Sequence, residues 1–270
     1  MQIHPIFFWL WATLLVTAVI RLDGSLFSLT TILASVALLR AMPKKLVRKQ
    51  TFQLALRLAL IAILIRLFFA IVIGVPMPGQ ILFSIPQIPL PDFLVGIRLG
   101  GEVTTQRLAG ALGEALIFAA LILLFGAANS LTTPTKILKV IPRKLYGVGL
   151  ATALATKLTP QFADSVTRIR QAQHLRGQSA KGSKSWLRIG TPVLEETMSR
   201  SLDLAAALEA RGYGVHRQPT RYKPIRWKTF DSFALLPALY AATLLPSVSL
   251  NPYLIASILF ACVISPAVLR

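Results

Sequence analysis

Cysteine is almost missing from this chain: Cys262 is the only one among 270 residues, and it lies inside an apolar run. Neither an intrachain disulfide framework nor a thiolate metal site can be built from it. Histidine is nearly as scarce. His4, His174 and His216 are scattered between one terminus and separate parts of a long polar segment, with no carboxylates gathered around them, so no metal is expected on this chain. No Gly-x-x-x-x-Gly-Lys-Ser/Thr stretch occurs, which excludes a nucleotide-binding P-loop. The chain is therefore not its own ATPase, and no bound cofactor is expected. Acidic residues are also few, 10 Asp+Glu against 29 Lys+Arg, for a net charge of +19.

Apolar residues are plentiful. The chain is 54% hydrophobic and only 14% charged, with a mean hydropathy of +0.65, whereas a soluble domain carries about a quarter charged residues. The excess points to a bilayer rather than a core. A strong positive balance can also signal nucleic acid. Here Lys and Arg concentrate in residues 40–49 and 136–228, between apolar runs, as cytoplasmic loops do under the positive-inside rule. Trp186, Tyr213, Tyr222 and Trp227 are too sparse for a stacking platform. The lipid bilayer, not nucleic acid, is the expected surroundings.

Six apolar runs are read as helices: Ile6–Ile20, Leu26–Leu39, Leu54–Val75, Leu108–Ala128, Phe230–Leu245 and Tyr253–Leu269. The first has no basic region before it and no clear small-residue cleavage site, and is expected to be a retained span. It and the second fall short of the roughly 20 residues that a perpendicular span needs, so they form either a short helical hairpin or a re-entrant pair. Between the third and fourth runs, a Pro-rich segment with few charges reads as extracytoplasmic, its Ile81, Leu82, Phe83 and Ile85 folding back onto the membrane surface. The predicted organisation is membrane spans 1–4 over residues 1–128, a cytoplasmic insert over 129–229, and spans 5 and 6 over 230–270. The fold class is an all-α integral membrane protein with about six transmembrane helices, in the cell membrane, with both termini cytoplasmic. The insert holds eighteen Lys/Arg and five Asp/Glu, which fixes the orientation.

Two long amphipathic helices are predicted in the insert. Thr159-Pro160 has the form of a helix start, with a hydroxyl at N-cap and Pro at N1. Phe162, Val166 and Ile169 then recur at helical spacing as a narrow apolar stripe, with Asp164 early, where the helix dipole favours an anion. Arg176-Gly177 closes the helix, a cation in the last turn and a glycine free to turn left-handed. Thr191-Pro192 repeats the pattern, followed by Glu195 and Glu196 and a stripe of Leu194, Met198, Ser201, Ala205 and Leu208. Ala210-Arg211-Gly212 closes this second helix. Small residues in the stripe allow another helix to approach closely. The plain reading of each Arg-Gly is a capped helix end. Their repetition on two striped helices points to function.

Within the spans, Arg66 and Glu114 fall in adjacent antiparallel runs, roughly 12 Å and 9 Å from their common outer end at about 1.5 Å per residue. An ion pair tying the two spans is one reading. A substrate or proton site is the other, and it carries the alternative function of a stand-alone secondary transporter or intramembrane enzyme. That alternative needs more midplane ionisable groups, or an inverted repeat, than the sequence holds.

At its two Arg-Gly ends the chain resembles the transmembrane T component of energy-coupling factor (ECF) transporters, a branch of the ABC transporters importing vitamins and transition-metal ions. That family carries two Ala-Arg-Gly-type motifs at the ends of cytoplasmic coupling helices. Ala210-Arg211-Gly212 matches in full; Leu175-Arg176-Gly177 has Leu in place of Ala. Leu131-Thr132-Thr133-Pro134, Thr159-Pro160, the Arg/Tyr-rich stretch 217–227 and His4-Pro5 are also similar. The resemblance covers about residues 105–270 well, and residues 1–100 mainly in hydropathy. It implies a non-catalytic subunit whose partners are two cytoplasmic ABC-type ATPases, which carry the ATP and Mg, and a small membrane S component that captures substrate. It also implies that Arg176, Gly177, Ala210, Arg211 and Gly212 meet the ATPases.

Overall fold

The computed structural model describes residues 4–43, 47–73, 78–88, 99–142, 145–177, 183–215, 225, 227–248 and 250–268. The chain forms two compact units, one made of Met1–Thr133 with Arg226–Arg270, the other of Pro134–Ile225.

The first unit begins with α1 (Pro5–Leu22) and α2 (Ser25–Ala41). Pro5 opens α1, where a missing N–H is harmless. Asp23, at φ +34°, and Gly24 interrupt the two helices. Each runs a few residues beyond its apolar run: 18 residues in α1 and 17 in α2. α3 (Lys49–Val72) leads to a hairpin of β1 (Ile81–Ile88) and β2 (Leu99–Thr104), and α4 (Thr105–Leu131) follows directly. The unit's core gathers Phe7, Trp11 and Leu15 of α1, Leu38 of α2 and Leu124 of α4, together with Ala234, Ala238 and Ala241 of one later helix and Leu259 and Val263 of the last. The Trp11 indole N–H donates to the Cys262 carbonyl oxygen at 3.3 Å and so satisfies its one polar atom in the core.

α3 lies against α4 through a separate small cluster of Ala55, Ala59, Ala119 and Leu123. A Cβ added to Gly126 would stand 2.3 Å from the Ala55 Cβ, so glycine there is what lets the two backbones meet. Leu54, Leu60, Leu64 and Phe68, by contrast, are more than half exposed. A helix apolar all round with most of its surface uncovered is what a bilayer accommodates and water does not. Among the described residues, four helices are long and apolar enough to cross a membrane: Pro5–Leu22, Lys49–Val72, Thr105–Leu131 and Thr229–Ser247. α2 and Pro252–Val268 are apolar but shorter. At about 25 Å, they fit a bilayer only with local thinning or flanking anchors.

Within the Pro-rich segment the structure forms a hairpin that the sequence reading did not predict. β1 and β2 pair antiparallel, with Phe83 opposite Val103 and Ser84 opposite Glu102, and a register irregularity after Ile81. Pro86 sits within β1, where a two-stranded ribbon leaves one side free of partners. Gly100 has φ +86°, and an added Cβ would be 2.4 Å from the Pro86 carbonyl oxygen, so the strands close only over glycine. Arg107, 4% exposed, fastens the hairpin. Its Nη1 donates to the Glu102 carbonyl at 3.1 Å, and its Nη2 donates to the Ile73 carbonyl just beyond α3.

The second unit contains α5 (Pro134–Leu138), α6 (Tyr146–Leu175) and α7 (Ser183–Ala210). α8 (Thr229–Thr243) and α9 (Pro252–Val268) then complete the first unit. At the start of α8 the Lys228 N–H donates to Asp231 Oδ2 at 3.1 Å, and the Asp231 N–H donates to the Lys228 carbonyl at 2.9 Å.

Both predicted helix starts in the insert are overturned. α6 begins at Tyr146 and α7 at Ser183, so Pro160 and Pro192 are interior. The Thr hydroxyls do not cap: Thr159 donates to the Ala155 carbonyl at 2.8 Å and Thr191 to the Leu187 carbonyl at 3.0 Å, one turn back. Flanking helix formers carry each helix through its proline, at the loss of one backbone bond to the carbonyl four residues earlier. Asp164, Glu195 and Glu196 therefore lie mid-helix rather than in a first turn.

Candidate functional site

Two helix ends and one side-chain cluster stand out in the second unit. α6 ends on Arg176, whose N–H donates to the Ala172 carbonyl, while the Gly177 N–H donates to His174 O at 3.0 Å with φ +75°. α7 ends likewise. The Gly212 N–H donates to Glu209 O at 2.8 Å and the Tyr213 N–H to Leu208 O at 2.9 Å, with Gly212 at φ +77°. This pair of bonds is a Schellman closure. A Cβ would meet nothing within 4 Å of either glycine, so glycine is required by the backbone conformation alone. Tyr213 tilts against Tyr146 with ring centroids 6.3 Å apart, bringing the end of α7 to the start of α6.

Arg176, Ala210 and Arg211 are exposed. Among the described residues, neither guanidinium forms an ion pair, whereas Arg66, Arg168 and Arg200 all do. Each helix thus ends on an exposed guanidinium, a fork of donors with the geometry to pair a carboxylate, beside a residue without a side chain.

The stripes are only partly covered. Phe162, Leu194, Met198, Ser201 and Ala205 are exposed, and Val166, Ile169 and Leu208 are half-buried. The buried positions where α6 and α7 pack are Ser165 and Val193. Phe162 and Ser201, with Leu154, Leu158 and Leu204, line a groove of about 680 Å³ between the two helices.

Beside Ser165 lies a cluster that sequence reasoning missed. Glu196 Oε1 accepts from Ser165 Oγ at 3.1 Å, Arg168 Nη2 at 2.6 Å and Arg200 Nη2 at 3.0 Å. Arg168 Nη2 also donates to Ser165 Oγ at 3.2 Å, and Arg200 Nη1 to Gln161 Oε1 at 3.4 Å. Partial desolvation pushes the Glu196 carboxyl up. Hydrogen bonds from Ser165 and Arg168 and the two guanidinium charges more than offset this, leaving its pKa below the usual carboxylate value. The available signal was the Glu196–Arg200 spacing of four residues; the link across to Ser165 and Arg168 has no signature in sequence.

In the first unit, Arg66 donates from Nε to Glu114 Oε2 at 3.0 Å and from Nη2 to the same oxygen. The two side chains engage each other and tie α3 to α4. Among the described residues no group of three or more His, Cys, Asp or Glu could hold a metal. His4 lies at the start of α1, its ring 5.0 Å edge-on from Trp227; His216 lies outside the described residues.

A helical unit with apolar outer faces, holding helices long and apolar enough to cross a membrane, defines a membrane protein. The chain belongs to the CbiQ family of cobalt transport proteins, whose model matches residues 2–222. Relatives named energy-coupling factor transporter transmembrane protein EcfT align with it. That of Limosilactobacillus fermentum is 28% identical over 147 residues, 47% of this chain and 55% of the relative. That of Macrococcus caseolyticus is 30% identical over 134 residues, 47% of each. That of Streptococcus equi subsp. equi is 29% identical over 186 residues, 60% of this chain and 67% of the relative. The chain spans about half the length of the first two of these relatives.

Proposed function

We propose that this chain is the energy-coupling transmembrane subunit of an ECF-type ABC importer for a vitamin or a transition-metal ion. In this reading two cytoplasmic ATPases bind and hydrolyse ATP, with Mg, and a separate small membrane S component holds the substrate. This chain joins them and performs no catalysis. The first unit lies in the cell membrane, and the basic second unit and both termini lie on the cytoplasmic side, as the eighteen Lys/Arg against five Asp/Glu in residues 129–229 favour.

One observation carries the reading: two long helices each end on an exposed arginine, without an ion pair among the described residues, followed by a glycine in the left-handed conformation. The αL closure fixes the direction of the chain at each end, and the bare glycine lets a partner surface approach. Arg176 and Arg211 then hold carboxylates of the ATPases in bidentate geometry. The names of the relatives and the family description support the same assignment. Arg66 and Glu114 are assigned as a tie between α3 and α4, since each satisfies the other's charge.

The test is a pulldown from native membranes with an affinity-tagged chain. Recovery of P-loop ATPases together with a small membrane protein supports the proposal. Recovery of the chain alone, under conditions that preserve known ABC complexes, refutes it.

A further inference from the structure

Both arginine ends lie several turns along their helices from the Ser165–Glu196 contact. Ser165 lies eleven residues before Arg176, and Glu196 fifteen before Arg211, so the arms extend roughly 16 Å and 22 Å beyond the crossing at 1.5 Å per residue. At arms of that length, a small change in crossing angle displaces the ends by ångströms. The apolar contact at the crossing is slight: Ser165 and Val193 are buried there, while Phe162, Leu194, Met198 and Leu202 remain about half exposed or more. Each helix also has a proline close by. Pro160 precedes Ser165 by five residues and Pro192 adjoins Val193, and each removes a backbone hydrogen bond where its helix would bend. Besides the looser Tyr213–Tyr146 ring contact and the walls of the groove, the polar cluster is the directional interaction that resists rotation of one helix on the other.

We propose that Glu196 is a positioning residue whose carboxylate locks the crossing of α6 and α7, so that the Arg176 and Arg211 ends move as one body. Within the cluster, one oxygen draws on three donors from both helices. Two of those donors are guanidiniums, and carboxylate–guanidinium bonds are directional and about twice as strong as neutral ones. Glu196 is the only acid that engages this set among the described residues; without its charge, Arg168 and Arg200 repel each other across the contact. This role rests on the proposed function only for its purpose, transmitting force between two ATPase-facing ends. The lock itself is a property of this chain.

The test uses the full chain in lipid nanodiscs, with Cys262 buried and silent and spin labels on Arg170→Cys and Ala206→Cys. Both positions are exposed. The native cluster gives one narrow interspin distance distribution. Glu196→Gln keeps the shape and loses the charge, and it broadens the distribution to about twice its width or more, as expected when a two-state contact loses its bias. The charge-reversed triple variant Glu196→Arg, Arg168→Glu, Arg200→Glu narrows it again, a rescue that mere packing at the site would not give. Equal widths in the native chain, Glu196→Gln and Glu196→Ala overturn the proposal. So does broadening that the reversed triple fails to correct in a chain whose other unit melts as the native does. If the native chain shows the lock but brings down no ATPase, the lock stands and the functional reading falls.

Discussion

Replacing Gly126 by alanine sets two effects of opposite sign against each other. Alanine is the better helix former, by up to about 1 kcal/mol, so in an open helix the change would stabilise α4. In this structure the new Cβ would lie 2.3 Å from the Ala55 Cβ. Carbon atoms settle at about 3.5–4.0 Å, so the helices must part by about 1.2 Å or more, and a gap of that size forfeits at least half the dispersion energy of the atoms around it. Neither atom can swing aside, since each is fixed to its backbone. Parting the helices loosens the packing of Ala55, Ala59, Ala119 and Leu123, the cluster that holds α3. Overpacking of this kind costs about 1–3 kcal/mol, which outweighs the propensity gain. The expected result is a melting temperature lower by about 2–8 °C in detergent, together with faster proteolysis between α3 and α4. The exchange Gly126→Ala with Ala55→Gly conserves volume and returns most of the loss. A single Gly126→Ala variant that melts higher than the native chain would refute the close approach of α3 and α4.

Three further outcomes rest on particular interactions. Gly212→Ala costs about 1 kcal/mol of local stability at the end of α7, and Gly212→Asn less, because the position has φ +77° and open space around it; hydrogen exchange at residues 208–213 orders the three variants. Arg107→Met leaves the Glu102 and Ile73 carbonyls without their donor and destabilises the hairpin by about 1–3 kcal/mol, seen as faster cleavage within residues 78–88. For Glu196, a folded pKa below the ordinary value means stabilisation that is fully present above about pH 4.5 and is lost as the pH falls below it. An acid titration of α6–α7 separation should show that loss in the native chain and not in Glu196→Gln.

How much of this was legible in the sequence depended on range. The apolar runs show directly because a bilayer demands an unbroken length of apolar residues, and α1, α2, α3, α4, α8 and α9 fall on them. Both Arg-Gly ends are legible for a local reason: glycine is the residue that turns left-handed without penalty, and a cation suits the last turn. The starts of α6 and α7 are not. Thr-Pro is a good helix opening in isolation, but Thr159 and Thr191 are held within longer helices and bond back one turn. The hairpin escaped notice because Pro86 and the apolar triplet Ile81-Leu82-Phe83 lack a strand's alternation. The Glu196 cluster is a long-range event, joining residues about thirty apart that local spacing does not connect.

The docking role of the two helix ends is tested most directly by copurification of the ATPases. The native tagged chain is compared with Arg176→Ala and Arg211→Ala, singly and together, and with Arg170→Ala as an exposed control on α6. All are to be made in membranes where the chain inserts equally. Each single change is expected to lower recovered ATPase at least about tenfold, as loss of one charged partner at an interface does. The double change is expected to abolish recovery, and Arg170→Ala to recover as the native chain does. Undiminished recovery with the Arg176→Ala, Arg211→Ala double variant would contradict the docking role of both arginines.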